Sequence, residues 1–234
     1  MTLTASSNDD VFVITAPSGT GKTTLNRRLM KDPGLIGIAI SMTTRPRREG
    51  EINGDHYWFV DEAEFFAEVR KGAMLEWASV FGNYYGTCYR EIERIRGEGH
   101  KIILEIDVQG WTQAREKLPG AVSIFIMPPS LSVLWERLTG RASDSPGSQW
   151  RRIQTAREEL DHAPEYQYFV INDRLESALA ELKGILMNQP DHHLLSRKSG
   201  LEHCQKLKEE WEKSPVFRQL RTQFSSGNST PEGS

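Results

Sequence analysis

The stretch Ile14-Thr15-Ala16-Pro17-Ser18-Gly19-Thr20-Gly21-Lys22-Thr23 decides how the rest of the chain is read. A β-rich run, Val11–Thr15, enters a glycine-punctuated turn, and the turn ends in Gly-Lys-Thr at the head of an amphipathic pattern carrying Leu25, Leu29 and Met30. Such a turn aims consecutive backbone N–H groups and a helix N-terminus at one point, which suits dense negative charge. In that arrangement Lys22 reaches the terminal phosphates of a nucleotide and the Thr23 hydroxyl helps hold Mg²⁺. The full pattern, Gly-x-x-x-x-Gly-Lys-Ser/Thr, has Ala16 where its first glycine stands. An ordinary strand-to-helix turn is the alternative, and the strand before and helix after the turn argue against it.

At 234 residues the chain has room for one sizeable core plus an appendage. Its net charge of -3 gives no reason to expect a nucleic-acid-binding surface, so a nucleotide is a more natural partner than a polymer. Two cysteines, Cys88 and Cys204, supply neither a disulfide framework nor a paired zinc spacing. Met1 to Asp10 is polar and acidic, and no apolar run approaches the roughly 18 residues of a spanning helix. A cytoplasmic location without membrane partners is the expectation.

Apolar strands recur at Val11–Thr15, Gly37–Ser41, Lys101–Ile106, Ala121–Met127 and Gln167–Ile171, separated mostly by helical periodicity. That order predicts an α/β fold with a mostly parallel sheet covered by helices. Between the second and third strands lie a polar loop (Met42–Gly50), a short run Tyr57–Val60, a helix at Glu62–Lys71, a strand at Met74–Val80 and a tight turn over Gly82–Gly86. These predict an inserted, partly β subdomain. Thr139–Ser148 is rich in Gly, Ser, Asp and Pro between two helices and fits a mobile lid. Past Asn188 the pattern changes: Leu201, Cys204, Leu207 and Trp211 predict an added helix, Pro215 interrupts it, and the last ten residues have almost nothing to bury. That helix packs on its own core or serves a subunit or partner contact. His192, His193 and His203 lack a carboxylate or thiolate cluster and do not make a metal site.

Five clusters carry chemistry. Arginines crowd Ser41–Glu51, just beyond a strand end, and guanidinium forks bind phosphate bidentately; taken alone, such a loop is merely solvated. Glu76 sits on an apolar strand ahead of Tyr84-Tyr85-Gly86-Thr87. A half-buried carboxylate there accepts both N1–H and N2–H of guanine, whereas adenine N1 is a lone pair and repels it. Glu105 and Asp107 end a buried strand, where ligands of open α/β sheets bind; Asp107 equally caps the next helix. Arg137, Arg141 and Arg152 flank the lid, the first two spaced for one helix face. Asn172 ends the last strand, as a purine contact or as a simple turn residue.

In order and spacing these segments resemble the guanylate kinase family over about residues 9–188. The resemblance rests on Ala-Pro-Ser-Gly-x-Gly-Lys-Thr, Ser-x-Thr-Thr-Arg, Gly-Glu-x-x-Gly-x-x-Tyr, Glu-Trp-Ala, Gly-Asn-Tyr-Tyr-Gly-Thr, Ile-Asp-x-Gln-Gly, the Pro128-Pro129-Ser130 helix entry and Ile-Asn-Asp. It implies transfer of a phosphoryl group from ATP with Mg²⁺ to GMP or dGMP, on a core of residues 9–41 and 99–188 with a lid at 139–150. A GMP-binding subdomain would span 42–98, a helical extension 189–224 and a disordered tail 225–234. Guanine would be held by Ser41, Glu76, Thr87 and Asp107, and its phosphate by Arg45, Arg48, Tyr57 and Tyr85. ATP would lie on Ser18, Gly19, Thr20, Gly21, Lys22, Thr23 and Thr24 with Asn172 near adenine, and Mg²⁺ near Thr23 and Glu105. Arg137, Arg141 and Arg152 would join Lys22 and Arg45 around the transferring group.

Two departures stand out. After Arg45 the family usually reads x-Pro-Arg-x-Gly-Glu, whereas this chain has Pro46-Arg47-Arg48-Glu49-Gly50-Glu51, with an arginine at the proline's place that adds charge to the phosphate loop, and Arg141-Ala142 and Pro146-Gly147 alter the lid. Two other readings remain beside the kinase: a guanylate-kinase-like binding module, which typically loses the intact Gly21-Lys22-Thr23, and a phosphate-loop kinase for another acceptor, which has no use for Glu76 and Tyr85.

Overall fold

The structure is a computed structural model and describes residues 8–30, 36–80, 82–140, 145–188 and 194–225. Along the chain run β1 (Val11–Thr15), α1 (Lys22–Leu29), β2 (Ile36–Ile38), β3 (Met42–Thr43), β4 (Trp58–Phe59), α2 (Glu62–Arg70), β5 (Met74–Val80), β6 (Asn83–Cys88), α3 (Tyr89–Gly97), β7 (Lys101–Glu105) and α4 (Val108–Ala114). They are followed by β8 (Val122–Met127), α5 (Leu131–Thr139), α6 (Pro146–Glu159), a 3₁₀ turn (Leu160–Glu165), β9 (Tyr168–Ile171), α7 (Leu175–Leu186), α8 (Arg197–Lys213) and α9 (Pro215–Ser225).

The larger sheet has the order β2-β7-β1-β8-β9, and β7 pairs in parallel with both β1 and β2. Parallel strands covered on both faces are apolar throughout. Val11, Val13, Ile14 and Ile102 to Leu104 accordingly have no exposed surface. Gly37 on β2 lets Ile95 of α3 approach; a Cβ there would lie 2.5 Å from the Ile95 side chain. The smaller sheet, β4-β3-β6-β5, mixes parallel and antiparallel pairs over a core of Met42, Phe65, Met74 and Cys88. This is the expected mixed α/β architecture with a mostly parallel central sheet.

The chain packs as two compact units: Met1–Thr15 with Asn26–Ile124, and Ala16–Leu25 with Phe125–Ser234. The second unit buries Leu131, Leu134, Leu138, Ile153, Phe169, Val170 and Leu182, together with Leu207 of α8 and Phe217 of α9.

Several expectations need correction. Gly82–Gly86 is not a turn: β6 begins at Asn83 and pairs antiparallel with β5 through Cys88, while the left-handed conformation, φ 79°, belongs to Gly82 alone. The polar loop after Ser41 opens with a buried two-residue strand, β3, because Met42 and Thr43 add to β6. Met30, read as part of an apolar face, is 49% exposed, since α1 ends at Leu29. The α5 helix stops at Thr139, and the expected shared helix face of Arg137 and Arg141 falls in part outside the described residues. Arg141 itself lies outside the described residues, as do His192, His193 and all but Ser225 of the proposed disordered tail. The extension holds two helices rather than one, and Pro215 starts the second. Cys88 and Cys204 are free, as expected, and both are buried.

Candidate active site

The smaller sheet builds a polar pocket around Glu76. A β-bulge between Met74 and Glu76 places Met74, Leu75 and Glu76 all in buried positions, and Glu76 stands opposite Thr87 on β6. Glu76 is only 5% exposed, not half-buried as the sequence implied. Its carboxyl hydrogen-bonds to the Thr87 hydroxyl and backbone, and the Thr87 hydroxyl lies 3.1 Å from Ser41 Oγ. Gly86 precedes this contact because a Cβ there would stand 2.6 Å from the Glu76 carbonyl oxygen and 2.7 Å from Trp77 Cβ. Burial, reinforced by the neighbouring Asp107 charge, outweighs the Thr87 hydrogen bonds and pushes the Glu76 carboxyl up to about 7. Asp107 caps α4, with Oδ1 accepting the Gly110 N–H at 2.7 Å. The capping and ligand roles are compatible, since a carboxylate has acceptor capacity beyond one N–H.

One anchor of this pocket escaped the sequence reading. Glu91 on α3 is 3% exposed and accepts from the Ile40 N–H, the Trp58 indole and Arg94, at 3.1, 3.1 and 2.9 Å. It thereby holds the backbone next to Ser41. No local signal marks Glu91, because its helix pattern fits an ordinary surface carboxylate.

The arginine loop is folded rather than merely solvated. The Thr44 hydroxyl accepts from the Tyr84 N–H at 2.9 Å, and the Thr43 hydroxyl accepts from the Arg45 N–H at 3.2 Å. Arg45 donates to both carboxylate oxygens of Glu51, at 3.0 and 2.7 Å, and stands 5.6 Å from the ring centres of Tyr57 and Phe59. Tyr57 and Tyr85 meet edge to face at 5.9 Å. The Arg45 hydrogen bonds are the main reason the Glu51 carboxyl falls to about 2. Burial raises the Tyr57 phenol above its ordinary value. The structure therefore brings Arg45, Tyr57 and Tyr85 together, with the Arg45 fork held bidentately by a carboxylate, the geometry in which guanidinium groups also bind phosphate. The Arg48 side chain is exposed, while its backbone N–H binds Glu51 at 2.7 Å.

In the second unit, the turn Ala16–Gly21 takes φ of +88° at Gly19 and +98° at Gly21. Neither position has room for a side chain: a Cβ would lie 2.8 Å from Leu138 at Gly19 and 2.6 Å from Asn172 Nδ2 at Gly21. Ala16 does not have positive φ, which explains why alanine is tolerated there. The α1 helix starts at Lys22, so Thr23 and Thr24 lie in its first turn. Three side chains hold the loop. The Asn172 amide donates to the Thr20 carbonyl at 2.7 Å, Arg137 donates to the carbonyls of Thr20 and Asn172 at 3.2 and 3.1 Å, and Arg152 donates to Ser18 Oγ at 3.1 and 2.8 Å. A cavity of about 360 Å³ opens here, lined in part by Gly21, Thr24, Arg137, Asn172, Asp173 and Leu175. Asp173 and Leu175 were not singled out from sequence; Leu175 begins α7 and supplies an apolar wall that no motif advertises.

Glu105, at the end of β7, accepts from Asn26 Nδ2 at 2.7 Å, and Asn26 Oδ1 is buried with no hydrogen-bond partner among the described residues. Hard oxygen donors of this kind suit Mg²⁺. Among the described residues there is no cluster of three or more His, Cys, Asp and Glu able to hold a metal; His203 instead contacts the Pro128 carbonyl at 2.9 Å. None of the helices described is long and apolar enough to cross a membrane.

The family model described as guanylate kinase matches residues 8–189. The guanylate kinase of Neisseria gonorrhoeae is 48% identical over 177 residues, 76% of this chain and 86% of that protein. That of Methylobacillus flagellatus is 47% identical over 180 residues, 77% of this chain and 89% of its own length. The crystal structure of guanylate kinase from Anaplasma phagocytophilum superposes with a TM-score of 0.61 at 28% identity, covering 92% of this chain and 94% of that one. By this match over most of its length, the chain belongs to the guanylate kinase family.

Proposed function

We infer that this protein transfers a phosphoryl group from ATP to GMP, giving ADP and GDP. The observation that carries this reading is the convergence of Glu76, Thr87, Ser41 and Asp107 on one buried polar pocket. Guanine offers N1–H and N2–H to a carboxylate, and the ionised form of Glu76 that burial disfavours is restored by those two donors. Adenine would present a lone pair to it. Arg45, Tyr57, Tyr85 and Arg48 are the groups for the GMP phosphate. Arg45 then exchanges one carboxylate-shaped partner, Glu51, for another of like geometry.

For ATP, the N–H groups of the loop Ser18–Thr24 receive the phosphates with Lys22, and the cavity bordered by Asn172 and Leu175 receives the base. Mg²⁺ bound near Thr23 and Glu105 would neutralise phosphate charge. No side chain has to be a strong base, because the attacking atom is already an anionic phosphate oxygen. Catalysis is positioning plus charge neutralisation by Lys22, Arg137, Arg141 and Arg152. In domain terms, residues 9–188 are the kinase, with a lid at 139–150 and a GMP-binding part at 42–98, and 189–224 are an extension.

The intact Gly21-Lys22-Thr23 disfavours a binding module, and the Glu76 pocket disfavours a different acceptor. The test is ADP production from ATP and Mg²⁺ with GMP, dGMP, AMP, UMP and CMP offered separately. Turnover confined to guanine nucleotides supports the reading, and silence with all five despite GMP binding would sink it in favour of a binding module.

A further inference from the structure

The segment after residue 193 lies beyond the region matched by the family model; besides packing on β9 and the 3₁₀ turn, it contacts the two helices that carry Arg137 and Arg152. Glu210 of α8 reaches the start of α5. Its Oε2 accepts from the Leu131 N–H at 2.8 Å, and its Oε1 accepts from the Ser132 N–H at 2.8 Å and the Ser132 hydroxyl at 2.7 Å. With Ser130 Oγ accepting from the Val133 N–H, the three leading donors of α5 are all engaged. A carboxylate at the positive end of a helix makes short, charge-assisted bonds, stronger than those of a neutral cap. Arg137 lies six residues along the same helix, with its guanidinium on the carbonyls of Thr20 and Asn172.

The next residue grips the other helix. Trp211 stacks on Trp150 of α6, with ring centres 5.4 Å apart and planes 12° apart, and Phe224 of α9 stacks on the same ring at 5.9 Å and 14°. Trp150 stands two residues before Arg152, whose guanidinium holds Ser18 Oγ. Arg221 lies over the Trp211 ring at 5.5 Å and pairs with Glu212 at 3.1 Å, fastening α9 to α8.

We propose that residues 194–225 form a brace that sets the helices bearing Arg137 and Arg152, with Glu210 and Trp211 as positioning residues for phosphoryl transfer. The proposal rests on the reading of those two arginines as groups at the ATP phosphates. The α5 helix has nine residues, about 13 Å of rigid rod, so displacement of its capped end is passed to Arg137 rather than absorbed. The residues assigned to guanine belong to the other compact unit, and none of them is among the brace contacts given above.

The test uses full-length protein, assayed far below its melting midpoint so that the folded fraction stays constant. Glu210→Ala is expected to lower kcat or raise KM for ATP by about tenfold, with the dissociation constant for GMP unchanged. Glu210→Gln keeps one acceptor oxygen and should recover part of the loss, which a generic destabilisation would not track. Phe224→Ala, at a partly exposed site, should shift the same parameters to a smaller degree and carries the test with Glu210→Gln if the alanine variant does not fold. Wild-type kcat and KM for ATP in Glu210→Gln and Phe224→Ala would overturn the brace while leaving the reaction intact. A wild-type protein silent toward GMP would bring down the assigned reaction, and the brace's catalytic role with it.

Discussion

Gly110 and Glu76 are matched in shape: a Cβ on Gly110 would stand 2.9 Å from Glu76 Oε2 and 3.1 Å from Ile106 Cβ. A glycine inside a helix costs about 1 kcal/mol relative to alanine, so α4 gives up stability where it approaches the carboxyl. Gly110→Ala should therefore leave the melting point little changed, helix propensity offsetting the clash, while raising KM for GMP by about tenfold or more through a displaced Glu76. Kinetics with each substrate varied in turn check this; an equal rise in KM for ATP would remove the steric explanation.

The raised Glu76 carboxyl makes two linked predictions about pH. The native state binds this proton more tightly than the unfolded chain does, from about 7 against 4.5. Its destabilising effect is absent at pH below the unfolded value, grows between the two, and is complete above about 7, where it reaches about 3 kcal/mol. Glu76→Gln should thus raise the melting temperature more at pH 8 than at pH 5, and should erode discrimination between GMP and AMP. In the wild type, GMP binding below the raised value of about 7 should release protons, because a protonated carboxyl cannot accept two donors. Calorimetry in buffers of differing ionisation enthalpy would detect the release; none found removes Glu76 from the base site.

Lys22 tests the other nucleotide. Lys22→Ala should lower kcat by about two to four orders of magnitude while GMP binds as before, since the lost charge acts at the migrating phosphoryl group. Turnover at the wild-type rate would end the assignment of the loop.

Gly200 tests the seating of the extension. A Cβ there would stand 2.3 Å from Phe169 Cγ and 2.7 Å from Phe169 Cβ, and the second contact cannot be relieved by rotating the ring. Gly200→Ala should cost about 1 to 3 kcal/mol in urea unfolding. A neutral substitution would mean that α8 does not press against Phe169 of β9 at Gly200.

Helix starts show how far local sequence carries: at Ser145-Pro146 the Ser145 hydroxyl accepts the Ser148 N–H at 3.3 Å with Pro146 in the first turn of α6. Ser130 likewise caps α5. By contrast, the Gly82–Gly86 run misled. Glycine and asparagine signal turns, but here the tyrosines between them win by pairing with β5.

What the sequence determined by itself is what acts over a few residues: positive φ at Gly19 and Gly21, helix caps, apolar strand runs, and the kinds of side chain that a triphosphate and a guanine require. What only the tertiary structure decided is which groups meet. Ser18 and Arg152 are 134 positions apart, Thr20 and Asn172 152 apart, and Leu131 and Glu210 79 apart. Local sterics leave a signature in neighbouring residues, whereas a hydrogen bond across such distances depends on how whole strands and helices pack. The same carboxylate is therefore a surface residue, an anchor such as Glu91 or a brace such as Glu210 according to what the fold brings against it.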